Sequence, residues 1–291
     1  MALAKVHHVG FMVSGIGEAK RIFCDSLGLR VDEGRSPYPS GRHVPFDNVN
    51  ILDIPCGDSE LEINTPNDAN SGSGRFLARW GGVASFHHIC PHATDIQEDV
   101  RRLREAGLQQ ILPPGTTEWN GQGAAFFHPR SCLGILLEIW PPDGHYVPLT
   151  AHGDGLVSGI HHVGVVGRDL GELRRLWVDQ IGGTPVEAPP ARPWQGSVQS
   201  LGVQVGASVI EFTVPQETTS ELGVFLGEKG SGGSAVHHVA LSTPDLNQFM
   251  RRMAQLQIKP IGEVVEVGGG ARVALFRPVS MQTITIEAWQ V

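Results

Sequence analysis

Apolar side chains recur at helical spacing in four segments of the chain. In the clearest of them, Ile96, Val100 and Leu103 are separated by charged residues between Asp95 and Gly107. Aspartate is favoured at the start of a helix and glycine just past its end, so both boundaries of this predicted helix are marked. Three other segments have comparable patterns and are predicted to be helices: 17–28, 169–182 and 245–256.

Short apolar runs bounded by glycine and proline predict strands. The run Gly-Ile-Leu-Leu-Glu-Ile-Trp at 134–140 is one example, and it contains a single glutamate, Glu138. An unpaired carboxylate is costly to bury among apolar residues. A glutamate in such a strand therefore needs a partner, which makes it a candidate for chemistry.

The chain is a tandem duplication. His-His-Val-Gly at 7–10 returns at 161–164, and His-His-Ile at 87–89 returns as His-His-Val at 237–239. Within each half, a double histidine twice precedes a strand glutamate by about 50 residues, which gives four units of one strand, one helix and several further strands. The four units pair the following residues: His8 with Glu62, His88 with Glu138, His162 with Glu211, and His238 with Glu287.

The boundary between the halves is marked by a stretch that lacks periodicity. It begins near the Pro-Pro-Asp-Gly of 141–144. We predict a first module at 1–146, a linker at 147–157 and a second module at 158–291.

Composition and charge narrow the possible functions. With 22 Lys and Arg against 30 Asp and Glu, the net charge is −8, and no basic cluster is present, which argues against nucleic-acid binding. No apolar run reaches 18 residues, so no membrane-spanning segment is expected. The N-terminus resembles neither a signal nor a transit peptide, and the four cysteines lack C-x-x-C spacing, so we expect reduced thiols and a cytoplasmic protein.

The recurring histidines and glutamates suggest a metal site. Adjacent side chains on a strand point to opposite faces, so one histidine of each pair can face a cleft and the other packs or lies at the surface. Imidazole and carboxylate together suit Zn, Mn, Fe, Co or Ni, and two of each leave coordination positions open for substrate or water. A single strand histidine or glutamate is more often a core or surface residue, but four pairs in register favour ligands.

At these residues the chain resembles the vicinal oxygen chelate superfamily, which includes glyoxalases, bleomycin-resistance proteins and extradiol dioxygenases. The resemblance implies an α+β fold of two tandem modules, each built of two βαβββ units that form a curved mixed sheet around a metal cleft. It also implies a divalent metal ion (Zn, Co, Ni, Mn, Mg or Fe) held in each module by the second histidine of each pair and by the strand glutamates. The implied ligands are His8, Glu62, His88 and Glu138 in the first module, and His162, Glu211, His238 and Glu287 in the second.

The first half resembles the methylmalonyl-CoA epimerases more specifically. The similarity lies in Val-His-His-Val-Gly at 6–10, Glu-Leu-Glu-Ile at 60–63, and Phe-His-Pro at 127–129 followed by Glu138. It implies an enzyme, an epimerase, isomerase or glyoxalase-like lyase, that chelates two vicinal oxygens of a small substrate and stabilises an enolate. The expected proton acceptors are Glu138 and Glu287, followed by Glu62 and Glu211.

Two other functions remain open. An extradiol-type dioxygenase would hold iron in the second module through His162, His238 and Glu287, although that module contains no tyrosine and carries Glu211 in addition. A metal-free small-molecule binding protein of the bleomycin-resistance type would use the same fold. A homodimer is compatible with all three functions, since single modules of this superfamily dimerise.

Overall fold

A computed structural model describes residues 3–113, 115–121, 123–142, 144, 153–277 and 284–291. It confirms the predicted fold class, because each half contains two βαβββ units in one mixed sheet. In the first half the elements are β1 (Lys5–Met12), α1 (Ile16–Lys20), β2 (Arg42–Val44), β3 (Val49–Cys56), β4 (Ser59–Pro66), α2 (Gly72–Arg79), β5 (Ser85–His92), α3 (Ile96–Glu105), β6 (Gln110–Ile111), β7 (Ala125–Phe127) and β8 (Leu136–Ile139).

The second half repeats this order. Its elements are β9 (Gly159–Gly167), α4 (Leu170–Arg174), β10 (Thr184–Val186), β11 (Val198–Val205), β12 (Ser208–Pro215), α5 (Glu221–Lys229), β13 (Ser234–Thr243), α6 (Leu246–Gln255), β14 (Val265–Glu266), β15 (Arg272–Phe276) and β16 (Thr285–Gln290). Helices α1 and α4 each continue into a π-helical turn, Arg21–Ser26 and Arg175–Gln180.

The two sheets have the same strand order. In the first it is β2-β3-β4-β1-β5-β8-β7-β6, and in the second β10-β11-β12-β9-β13-β16-β15-β14. The central pairs β1 with β4 and β5 with β8 are parallel, whereas the outer pairs are antiparallel. The first strand of each βαβββ unit therefore lies in the middle of a sheet beside the strand that carries the glutamate of the same unit.

All four predicted helices are present. The three clearest begin at the aspartate that the sequence marks, because Asp95, Asp169 and Asp245 each accept a hydrogen bond from the backbone N–H three residues later. Helices α2 and α5 were not predicted. Each contains two glycines, which weaken a helical pattern, and each is capped by a serine, Ser71 or Ser220.

The described chain forms two compact units, and each combines parts of both sequence halves. One comprises Met1–His7, His88–His145 and His162–His238, and the other comprises His8–His87, Tyr146–His161 and Val239–Val291. In the first unit the Arg102 guanidinium of α3 donates to the carbonyl of Ile181. In the second, Asp154 forms an ion pair with Arg252 of α6. Helices and connecting segments of the two halves thus pack together inside each unit.

The boundaries of the two modules stay a prediction. Most of the predicted linker, 147–152, lies outside the described residues, while Leu156 and Val157 at its end are buried. None of the described helices is long and apolar enough to cross a membrane.

The four cysteines are free thiols, and all are buried. Burial raises the pKa of Cys24 and Cys56 to about 12 and that of Cys132 to about 11. Since the thiolate is the reactive form, these cysteines are protected from thiol reagents both by their burial and by their protonation.

We therefore expect the native protein to react slowly with a thiol reagent such as Ellman's reagent at pH 8, and all four thiols to react at once after denaturation. The measurement is the absorbance of the released thiolate with and without guanidinium chloride. Rapid reaction of a native thiol would contradict the buried environment.

Candidate metal centre

The first ligand pair consists of His8 on β1 and Glu62 on β4. The strands are parallel neighbours, with Gly10 opposite Glu62 in register, and both side chains are buried. The His8 Nε2 atom lies 3.7 Å from Glu62 Oε2. The Asn64 amide donates to the other oxygen, Oε1, at 3.0 Å. Asn64 thus orients the carboxylate so that Oε2 is the oxygen nearer the imidazole.

The second pair consists of His88 on β5 and Glu138 on β8, which are also parallel neighbours. Its Nε2 to Oε2 distance is 3.2 Å, and both side chains are buried. The structure therefore brings each predicted histidine of the first module together with a predicted glutamate.

The first histidine of each double-histidine motif packs against an aromatic ring, as the alternation of strand faces predicts. His7 and His161 stack on Trp140 and Trp289, with ring centroids 4.7 and 4.6 Å apart. His87 and His237 contact Phe76 and Phe225 edge to face. Burial lowers the pKa of His87 to about 4, so its ring is neutral. All four rings thus pack against aromatic side chains, with His7 and His237 buried and His87 and His161 partly buried.

Charged residues close to Glu62 form their own network. The guanidinium of Arg42 binds both oxygens of Asp53, which is fully buried on β3 directly opposite Glu62. Its Nη2 atom is 3.9 Å from Glu62 Oε2, outside hydrogen-bond distance. Arg35 forms an ion pair with Glu60 at 2.7 Å. The carboxylate of Asp53, rather than Glu62, thus holds the neighbouring cation Arg42.

The third cluster lies in the second module. His162, Glu211 and His238 are buried, and each offers a ligand atom within 4.8 Å of the other two. Glu211 Oε2 is 3.4 Å from His162 Nε2 and 3.5 Å from His238 Nε2. Gly164 permits this arrangement, because a side chain at that position would collide with the His238 ring.

A guanidinium group binds the carboxylate of this cluster. Arg192, fully buried, donates from Nη1 to Glu211 Oε1 and from Nη2 to Oε2, both at 2.6 Å. Its Nη2 atom also lies 3.4 Å from His238 Nε2. Burial alone raises the pKa of Glu211, but hydrogen bonds from His162, His238 and Arg192 hold it well below its usual range. Glu211 is thus ionised, and the Arg192 guanidinium supplies the compensating positive charge.

Glu287, the last predicted ligand, lies on β16 in the unit that contains Val239–Val291. Its Oε2 accepts a hydrogen bond from Trp289 Nε1 at 2.9 Å. Trp289, two residues along the strand, shares the face of Glu287 and orients its carboxylate, as the two-residue period of a strand indicates.

The three sets of ligands differ in how well they suit a divalent ion. Two atoms bound to one ion at bond lengths near 2.1 Å lie roughly 3 to 3.5 Å apart, which is close to the separations in both first-module pairs. The donor types also match a divalent cation. The second-module set has the same donors and spacing, but Arg192 engages both oxygens of its carboxylate, so as it stands it does not fit a metal ion.

Sequence reasoning missed Arg192, Arg42 and Asp53. Asp53 lies in the apolar run Ile-Leu-Asp-Ile at 51–54, so the burial argument used for the glutamates would have found it. Arg192 stands in Ala-Arg-Pro-Trp-Gln, a segment without periodicity, 150 residues after Arg42. Only that spacing, which equals the repeat interval, could have drawn attention to it.

Comparisons with known proteins agree with this architecture. Two models of the Glyoxalase/Bleomycin resistance protein/Dioxygenase superfamily match residues 5–139 and 161–276. Mitochondrial methylmalonyl-CoA epimerase from Bos taurus is 25% identical over 137 residues, which are 47% of this chain and 74% of the epimerase, and the similarity covers the first module. An uncharacterised protein, YqjC of Bacillus subtilis, is 27% identical over an alignment that covers 48% of this chain and 94% of the YqjC chain.

Solved structures of similar fold extend over the whole chain. A triple mutant of 4-hydroxymandelate synthase from Streptomyces coelicolor has a TM-score of 0.75 at 16% identity, covering 100% of this chain and 93% of its own. The 2,3-dioxygenase LapB from Pseudomonas sp. KL28 has a TM-score of 0.63 at 14% identity, and the match covers 100% of this chain and 94% of the LapB chain. Since both halves match the same family description and share one strand order, the chain belongs to the Glyoxalase/Bleomycin resistance protein/Dioxygenase superfamily as a protein of two tandem modules.

Proposed function

We propose that this chain is a divalent-metal-dependent enzyme that acts, through its first module, on a small substrate with vicinal oxygens. The observation that carries the proposal is the presence of two buried imidazole–carboxylate pairs, His8 with Glu62 and His88 with Glu138. Imidazole and carboxylate are donor types that suit a divalent cation, and Arg42, whose Nη2 atom lies 3.9 Å from Glu62 Oε2, donates its hydrogen bonds to Asp53. The epimerase relative similar to the first module supports the same assignment.

In this proposal the predicted ligands of the first module would hold the ion, His8 with Glu62 and His88 with Glu138. When bound, such an ion supplies Lewis acidity that stabilises the negative charge of an enolate. This chemistry suits an epimerase, an isomerase or a glyoxalase-like lyase, because each removes a proton next to a carbonyl.

Glu138 is the proposed proton acceptor. Its carboxylate is buried on β8, with Oε2 facing His88 Nε2 at 3.2 Å, so a proton moved to this group is shielded from bulk water. In Glu62, the Asn64 amide donates to Oε1 and orients the carboxylate. We therefore assign proton transfer to Glu138 and orientation of the substrate to the His8–Glu62 pair.

A ring-cleaving dioxygenase is the second candidate, because two tandem modules of similar fold span whole chains in 4-hydroxymandelate synthase and in the 2,3-dioxygenase. Such an enzyme would place iron at His162, His238 and Glu287. The buried guanidinium of Arg192 next to His238 opposes this assignment.

Oxygen uptake in the presence of catechols and ferrous iron distinguishes the dioxygenase from the enolate-forming enzyme. We expect no oxygen uptake, and substantial uptake would establish the dioxygenase.

The first test is metal binding. We expect His88→Ala to weaken binding of Zn²⁺ or Co²⁺ by more than about 100-fold, since loss of an outer partner alone typically costs 10 to 100-fold. His43→Ala, which alters an exposed histidine on β2, is the control and should leave the affinity unchanged. The measurement is equilibrium dialysis with elemental analysis. Equal affinity in both variants would contradict the proposed site.

The second test concerns the proton acceptor. In Glu138→Gln, studied at saturating metal concentration, we expect exchange of the substrate C–H with solvent deuterium to slow by about 10² to 10⁴-fold, because the amide cannot accept the proton. A panel of acyl-CoA thioesters and 2-oxo acids, followed by NMR, identifies a substrate first. Exchange at the unsubstituted rate would remove Glu138 from this role.

A further inference from the structure

We infer that the second module carries a latent metal site in which the chain itself supplies the cation, the guanidinium of Arg192. His162, Glu211 and His238 have the donor types and separations of a divalent-metal site. Arg192 binds both carboxylate oxygens through short, charge-assisted hydrogen bonds. A divalent ion on Glu211 would meet this fixed positive charge in a site of low dielectric constant, so the two cations exclude each other.

The surroundings hold Arg192 in place. Its backbone N–H donates to Gln195 Oε1 at 2.9 Å, and its Nη1 donates to the carbonyl of Pro190 at 3.2 Å. The Gln195 amide in turn donates to Glu211 Oε1 at 3.2 Å. The guanidinium is therefore positioned by its own segment as well as by the anion. Since both charges are buried, withdrawal of Arg192 would leave Glu211 without this compensating charge.

The residue that lies opposite the glutamate on the neighbouring strand differs between the repeats. On β3, Asp53 lies opposite Glu62 and binds Arg42 through two hydrogen bonds. On β11, the residue opposite Glu211 is Gly202, which offers no carboxylate. A side chain at Gly202 would meet the carbonyl oxygen of Glu187 at 2.5 Å.

In the first module the arginine donates its hydrogen bonds to Asp53 and lies 3.9 Å from Glu62 Oε2, whereas in the second module the arginine donates to both oxygens of the glutamate itself. The side chain of Arg42 is 30% exposed, while that of Arg192 is fully buried. We expect metal to be excluded from the second cluster as long as Arg192 is present, and to bind there once the guanidinium is removed.

The test is the metal content of Arg192→Met, which keeps an unbranched apolar side chain but removes the guanidinium and its charge. The protein is stripped with a chelator and dialysed against Co²⁺, and cobalt per chain is measured by elemental analysis and by visible absorption. We expect one equivalent more than in the unsubstituted chain, and we expect His162→Ala in the same background to abolish the gain. Arg175→Met, at an exposed arginine, is the control and should bring no gain.

Because the gain is counted relative to the unsubstituted chain, it is independent of whether the first module binds metal, so failure of this inference and failure of the proposed function are distinguishable. A folded Arg192→Met protein without additional cobalt would overturn the inference. If that variant does not fold, His162→Ala with Arg192 intact decides: we expect its cobalt content to equal that of the unsubstituted chain, and a lower content would show that metal already binds beside Arg192.

Discussion

The burial of carboxylates inside β-sheets is the constraint on which the rest of this site depends. Glu62, Glu138, Glu211 and Glu287 are all buried in strands of two mixed sheets. An isolated charge in such a place is strongly unfavourable, so each glutamate must have a cation or hydrogen-bond donors beside it. The structure meets this requirement in different ways at different glutamates, and these differences separate the two modules.

In the second module the requirement is met by the chain. Glu211 receives both arms of the Arg192 guanidinium together with contacts from two imidazoles. In the first module, Glu62 receives an amide from Asn64 and an imidazole, while the available arginine is bound by Asp53. The two repeats thus surround their corresponding glutamates with different partners, and of Glu62 and Glu211 only Glu211 accepts hydrogen bonds from a guanidinium on both of its oxygens among the described residues.

The comparison of the two glutamates also bears on the proposed function. The fold is shared with epimerases and with dioxygenases, and similarity of fold alone does not distinguish them. In the proposed function the first module holds the metal ion, because in the second module Arg192 donates to both oxygens of Glu211. The first module is also the part of the chain whose sequence is similar to the epimerases.

The sequence alone determined the duplication and the four βαβββ units. It also predicted four histidine–glutamate pairs, and the structure brings together His8 with Glu62, His88 with Glu138 and His162 with Glu211. These features could be predicted because the periodicity of a strand or a helix depends only on residues close together in the sequence. A repeat also shows the same residue types twice, as at His88 and His238. Helices α2 and α5 escaped detection since their glycines obscure the periodicity. Only the tertiary structure decided which cation each carboxylate meets. Arg192 follows Arg42 by 150 residues, yet Arg42 lies on β2 while Arg192 begins the turn Pro193–Gln195. The neighbouring strands differ as well, since Gly202 stands in the place of Asp53.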